Sequence, residues 1–343
     1  MESERGIESY NNSNSSEPIL EDPEEDFEGG MSVEEFIQHL KDMGKKGLQD
    51  EYNAIKFRGA DGTFEVSRLR ANQSKNRYTD VPCYDRTRVK LSLIDDDPNS
   101  DYINGNYVNG YKQRNAFIST QGPLPKTFND FWRCVWENNC CVIVMTTKTM
   151  ERRCTKCGQY WPLNEETSCD FGQFNVHNNG VEEHKDWIIT SLVVNDTKTG
   201  ITREISHLQF TSWPDYGVPL SAIAMLDFRD KVREYQSNAT KSMGSLWNGH
   251  ILGPPIVVHC SAGIGRTGTF ITLDISIQRL ETTGRIDIKR TVEKIRRERA
   301  YSIQVPDQYV FCYLALLEYA LCKQLLRDVD LSGFNESESE LEE

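Results

Sequence analysis

Apolar side chains recur along this chain in short runs separated by polar, turn-rich stretches, and their spacing predicts the elements. Ser32-Val33-Glu34-Glu35 is a capping box, so a helix begins there, with Phe36, Ile37 and Leu40 on one face. An irregular stretch carrying KNRYTDVPCYD (75–85) follows, then RVKLSLI reads as a strand and DYINGNYVNGY (101–111) as strand and turn. Thr127 is the expected N-cap of FNDFWRCVWENN, in which Phe128, Phe131, Trp132, Val135 and Trp136 share one apolar face. CCVIVMTT (140–147) predicts a buried strand, and GQYWPL, DWIITSLVV and TREISHLQF three more. SWPDYGVP (212–219) holds two prolines and a glycine and must be a loop. AIAMLDFRDKVREY (222–235) predicts an amphipathic helix and residues 237–253 a polar loop. PPIVVHC predicts a strand, GRTGTFITLDISIQRL a helix directly after a loop, and KRTVEKIRRER a basic helix. DQYVFCYLALLEYALCKQLL then closes the core. Strands mix with helices that cluster late, which predicts one α+β (α/β) domain and no internal repeat.

Charge divides the chain. Its 343 residues carry a net charge of −13, but residues 1–30 hold ten acids and one base, and residues 328–343 seven acids and no base. The body between is therefore near +3, too weak a balance to suggest a nucleic-acid partner. The expected organisation is a 1–30 acidic disordered tail, a 31–327 domain and a 328–343 acidic disordered tail, because Glu-, Ser- and Asn-rich ends bury too little surface to offset ordering entropy. Ser337 and Ser339 each precede an acid by three positions, a weak match to an acid-directed kinase. No run approaches the ~18–20 apolar residues of a membrane span, and MESERGIESY has no basic-then-apolar leader pattern. Ten cysteines then read as thiols in a cytoplasmic protein, and Cys154-x-x-Cys157, a lone pair, is weak evidence for a metal.

The chemistry concentrates in VVHCSAGIGRTG (257–268). GIGRTG matches the dinucleotide fingerprint G-x-G-x-x-G, but its helix is followed by a second basic helix instead of a strand ending in an acid. The other reading starts from Cys260, delivered by a strand to the lip of a loop. Ser261, Ala262, Gly263, Ile264 and Gly265 are small or flexible enough to curl with their N–H groups inward, and a helix begins near Arg266. Such a nest at a helix N-terminus binds anions. It also favours a thiolate, and Arg266 can clamp two phosphate oxygens. A buried structural cysteine is the bland alternative; it leaves the spacing of arginine, threonine and glycines unexplained.

HCSAGIGRTG resembles the H-C-x5-R-[ST]-G signature of the protein tyrosine phosphatases, and other motifs of that family follow in order. They are KNRY (75–78), DYINGNY with Gly105 where Ala is usual, Glu151 with Lys156 and QYWP, WPDYGVP, and the glutamines Gln304 and Gln308. The resemblance covers roughly residues 32–325. Within the family it points to the non-receptor type 9 (megakaryocyte) branch, which carries a Sec14-like lipid-binding domain where this chain has an acidic tail.

The resemblance implies a highly twisted mixed sheet flanked by helices, and hydrolysis of phosphotyrosine in proteins without metal or other cofactor. It implies Cys260 as nucleophile, Arg266 as phosphate clamp and Asp215 as general acid and base, with Trp213 in a mobile flap. His259 would tune the sulfur and Thr267 donate to it. Gln308, helped by Gln304, would place the hydrolytic water. Tyr78 would wall a cleft deep enough to select phosphotyrosine, and Asp80 would take substrate backbone N–H groups. Glu151 and Lys156 would steady Arg266 and the acid loop. Arg296 stands at a second phosphate position that Tyr301 obstructs. The expected partners are phosphotyrosine-containing proteins in signal transduction, and the expected state is a monomer. The competing functions are a phosphotyrosine-binding scaffold, which would need a lost nucleophile or acid, and a phosphoinositide phosphatase, which would favour basic residues within the loop.

Overall fold

The computed structural model describes residues 29–215 and 217–335. Its helices are α1 (Val33–Phe57), α2 (Glu65–Arg68), α3 (Arg70–Gln73), α4 (Phe128–Glu137), α5 (Ile223–Met243), α6 (Gly265–Thr283), α7 (Ile288–Glu298) and α8 (Pro306–Cys322). Its strands are β1 (Arg88–Lys90), β2 (Tyr102–Val108), β3 (Phe117–Thr120), β4 (Val142–Met145), β5 (Met150–Glu151), β6 (Cys154–Thr155), β7 (Ser168–Phe171), β8 (Phe174–Glu183), β9 (Trp187–Asp196), β10 (Thr202–Phe210) and β11 (Ile256–His259). Nine strands form one mixed sheet in the order β1-β2-β3-β11-β4-β10-β9-β8-β7, and β5 pairs with β6 in a separate hairpin. The expected mixed sheet flanked by helices is the observed architecture.

The middle of the sheet fixes the site. β3, β11, β4 and β10 run parallel, so their carboxyl ends open on one edge, where ligands bind in open α/β sheets. β3 ends at Thr120, β4 leads to the β5–β6 hairpin, β10 leads to the loop holding Asp215, and β11 ends one residue before Cys260. β4 and β11 are apolar on both faces, as buried parallel strands are. Val142 and Val144, Ile256 and Val258, and Phe117 pack with α1, α5, α6 and α8. Ile143, Met145, Val257 and Ile118 pack on the other face with Phe131, Trp132 and Val135 of α4.

Several elements depart from the expected ones. GQYWPL is no strand; Tyr160 and Trp161 are buried because Tyr160 packs against His207 and His259 and Trp161 stacks on His207, while Leu163 is exposed. The polar segment 174–183 is a strand, β8, paired along its length with β9. The 237–253 loop begins later, since α5 continues to Met243 and ends at Gly244, where φ is 51°. Thr127 does not cap α4. Its hydroxyl accepts from Leu124 N–H, closing the preceding turn instead. The Ser32–Glu35 capping box is present as read.

The body also extends past residue 327. Phe334 is 6% exposed and belongs to the main core. Gly44 breaks the backbone of α1 (φ 56°, ψ −177°), and the Lys45 N–H donates to the Phe334 carbonyl at 2.7 Å. The tail expected from 328 therefore starts with residues that pack. Residues 1–28 and 336–343, with Ser337 and Ser339, lie outside the described residues.

Candidate active site

Cys260 is 5% exposed and sits at the base of a cleft of about 450 Å³. Tyr78, Asp80, Glu151, Lys156, Trp213, Asp215, Ser261, Ala262, Arg266, Gln304 and Gln308 line the same cleft, so most residues singled out from the sequence converge there. His259 and Thr267 are fully buried behind it.

The loop's curl has an identifiable cause. Arg299, fully buried, donates from Nε to the Gly263 carbonyl and from Nη2 to the Ala262 carbonyl, both at 3.1 Å. Ser119 Oγ adds a bond to the Gly263 carbonyl at 3.0 Å. A trans peptide points its N–H opposite its C=O, so holding these carbonyls behind the loop turns the following amides toward the sulfur. The Gly263 N–H accordingly lies 3.3 Å from Cys260 Sγ. Gly263 has φ 72°, and a Cβ there would lie 2.0 Å from the Thr120 carbonyl, so no other residue fits. Neither Arg299 nor Ser119 is near the loop in sequence, and no motif around them signalled the role.

Arg266 is anchored before any substrate arrives. Its guanidinium donates to both Glu151 oxygens, at 2.6 and 2.9 Å. Thr147 Oγ1 supports Glu151 from behind at 3.0 Å. Burial alone would raise the Glu151 carboxyl, but the Arg266 and Thr147 bonds outweigh it and hold the group below its ordinary range. Arg266 also faces the Trp213 ring at 5.6 Å and donates to the Pro214 carbonyl at 3.4 Å, so clamp and acid loop touch.

Behind the sulfur runs a buried chain of rings. His259 Nδ1 is 3.2 Å from the Cys260 carbonyl, which can only accept, so Nδ1 carries the proton. Burial first, with Arg77 nearby, pulls the His259 pKa down to about 4, and the ring is neutral. Its Nε2 must then accept from Tyr160 Oη at 2.6 Å. Tyr160 has one proton, so it accepts from His207 Nε2 at 2.8 Å. His207 Nδ1 is left bare and has no partner among the described residues. Burial lowers His207 to about 3.

The cleft wall is equally specified. Asn76 accepts from Tyr102 and Asn104, and Arg77 donates to the Gly122 and Pro123 carbonyls, which ties KNRY to the sheet. Ser261 Oγ donates to the Lys156 carbonyl, so Tyr78 Oη, 2.8 Å away, donates to Ser261. Gln308 Oε1 accepts from Gln304 N–H at 2.9 Å. Two expectations meet different geometry. Among the described residues, the buried Thr267 Oγ1 has no hydrogen-bond partner, the sulfur included. The ion pair to Asp215 comes from Arg152, at 3.2 Å, while Lys156 contributes a carbonyl. Arg296 donates to the Ser302 and Ile303 carbonyls.

Fold and site together define a class: a mixed sheet covered on both faces, with a thiol at the head of an anion-binding loop. Residues 72–318 match the sequence profile of the family described as protein-tyrosine phosphatase, and the chain belongs to that family. It is 48% identical over 290 residues to tyrosine-protein phosphatase non-receptor type 9 of Rattus norvegicus and of Homo sapiens, covering 84% of this chain and 49% of each relative. Receptor-type tyrosine-protein phosphatase C of Homo sapiens is 38% identical over 296 residues, covering 86% of this chain and 22% of the relative. The chain spans about half the length of the type 9 relatives it matches.

Proposed function

We propose that this chain hydrolyses phosphotyrosine in proteins through a phosphocysteine intermediate. The observation that carries the reading is one cleft in which Cys260, an Arg266 already gripped by Glu151, and Asp215 all face the same space. Cys260 sulfur attacks phosphorus while the phosphorus–oxygen bond to tyrosine breaks, and Asp215 gives its proton to the departing phenolate. Water then attacks the phosphocysteine and gives a proton to Asp215, and the sulfur–phosphorus bond breaks to release inorganic phosphate. Arg266 and the amides of Ser261 to Gly265 hold the phosphoryl oxygens through both steps. Gln308 orients the water, with Gln304 assisting. His259 supports the sulfur through the Cys260 carbonyl. Tyr78 walls the cleft against the phenyl ring, and Asp80 takes substrate backbone. Lys156 steadies the cleft rim.

The catalytic body spans residues 31–327 with the packed segment up to Phe334. It acts as a monomer on phosphotyrosine proteins of signalling pathways in the cytoplasm. Ten free thiols suit a reducing compartment, and no described helix is long and apolar enough to cross a membrane. The test is phosphate release from a phosphotyrosine peptide by wild type and Cys260→Ser. Release that depends on Cys260 is expected; no release from wild type, or equal release from the variant, refutes the reading.

A further inference from the structure

The β5–β6 hairpin joins two side chains that the reaction uses. Glu151, the last residue of β5, grips Arg266 through both carboxylate oxygens. The next residue, Arg152, places Nε 3.2 Å from Asp215 Oδ2. Two neighbours on one turn thus reach the phosphate clamp and the general acid.

The turn itself is unusual. Arg152 and Arg153 form its two-residue loop, with φ of 49° and 61°. Hairpin loops with two positive φ values prefer Asn-Gly, Asp-Gly or Gly-Gly, and a long β-carbon-bearing side chain is disfavoured there. Strained backbone of this kind concentrates at functional sites and persists where the surroundings require it. Local folding does not require arginine at 152. Nor does stability: the Arg152 and Asp215 side chains are 35% and 42% exposed, and pairs so exposed contribute little. What the arginine does that glycine or asparagine could not do is reach Asp215.

We propose that Arg152 is a positioning residue for the general acid. Its guanidinium holds the Asp215 carboxyl over the cleft, so the hairpin sets the distance between the phosphate clamp and the proton donor. Asp215 stands in a loop between Pro214 and Gly217, whose backbone the buried Trp213 braces by donating its indole N–H to the Gly217 carbonyl at 3.1 Å. Arg266 reaches the loop backbone at the Pro214 carbonyl, and Arg152 reaches the side chain that must move the proton. This inference rests on the phosphatase reading, in which Asp215 protonates the leaving group.

The test uses the full chain and a series of aryl phosphates that differ only in how readily the aryl oxide leaves. Positioning of the acid matters most when the leaving group is poor. Arg152→Gly removes the guanidinium and suits the positive φ. We expect it to lower kcat/KM, which reports the step that expels the aryl oxide, about 10-fold on phenyl phosphate, a fraction of the 10²–10⁴ that general acid–base catalysis supplies. On an aryl phosphate with a good leaving group the loss in kcat/KM should be less than about 2-fold. Arg152→Lys should restore most of the loss. Arg153→Gly relaxes the same turn without touching the pair and should leave the whole series unchanged. A loss in kcat/KM by Arg152→Gly that is equal across the series, or no loss at all, overturns the positioning role while leaving the phosphatase reading standing. A wild type that releases no phosphate from any member overturns both.

Discussion

Arg266 is the residue on which the charges of the site converge: carboxylate on one side, indole face on another, cleft in front. A planar guanidinium matches both the Glu151 carboxylate and two oxygens of a phosphoryl group. Glu151 therefore holds the clamp in one orientation before substrate binds, at the cost of a carboxylate only 4% exposed at its side chain. Replacing it by glutamine keeps the shape but weakens the grip. Misplacement of a catalytic group by about 1 Å costs up to about 10²-fold, so Glu151→Gln should lower kcat/KM about 10- to 100-fold in steady-state assays. A change below twofold would mean that the loop alone orients Arg266. The depressed Glu151 pKa has a defined sign. Its contribution is complete above the ordinary value of 4.5 and is lost as pH falls through the lower folded value.

At the scale of elements, β10, β11 and the 158–163 segment meet in the His207–Tyr160–His259 chain. Both histidines are neutral in the folded chain because burial lowers them, to about 3 and about 4, from an ordinary 6.5. The unfolded chain takes up those protons first. Stability is therefore fully present above pH 6.5 and falls as pH drops from there toward 4. The slope approaches about 1.4 kcal/mol per pH unit for each histidine. Urea unfolding midpoints measured from about pH 7 down to about pH 5 should decline steadily; a flat profile would show that the rings take up protons as readily in the folded chain as in the unfolded one. This chain also shows why part of the site was illegible in the sequence. VVHCSAGIGRTG is readable because strand, nucleophile, amides and clamp are consecutive. Arg299, Ser119 and Arg152 act on the same loop system from distant segments, and only topology brings them there. GQYWPL has the hydropathy of a strand because it lines the histidine pair, whereas β8 lacks it because half of its face meets solvent.

At the scale of the whole molecule, the carboxyl ends of four parallel strands carry the nucleophile, the clamp's anchor and the acid loop to one edge. That convergence follows from the apolar runs, which the sequence displays plainly. The extent of the body does not, because the charge of residues 328–343 hides one aromatic anchor. Phe334 is buried against α1 and α8, near a cavity of about 190 Å³ that Val218, Pro219 and Leu220 also line. Phe334→Ala should destabilise the fold by about 3 kcal/mol, the lower end for a buried phenylalanine. Chemical denaturation checks it, and a loss under 0.5 kcal/mol, on the order of a surface change, would place the segment outside the cooperative unit.

The most direct measurement of the central claim is to look for the intermediate. In Gln308→Ala, the water that discharges the phosphocysteine loses its orienting amide, so the adduct should accumulate during turnover of a phosphotyrosine peptide. Acid quenching followed by mass spectrometry of the peptide spanning residues 256–266 should find one phosphoryl group, on Cys260. Steady turnover with no adduct on Cys260, or with the phosphoryl group on another residue, would contradict the account.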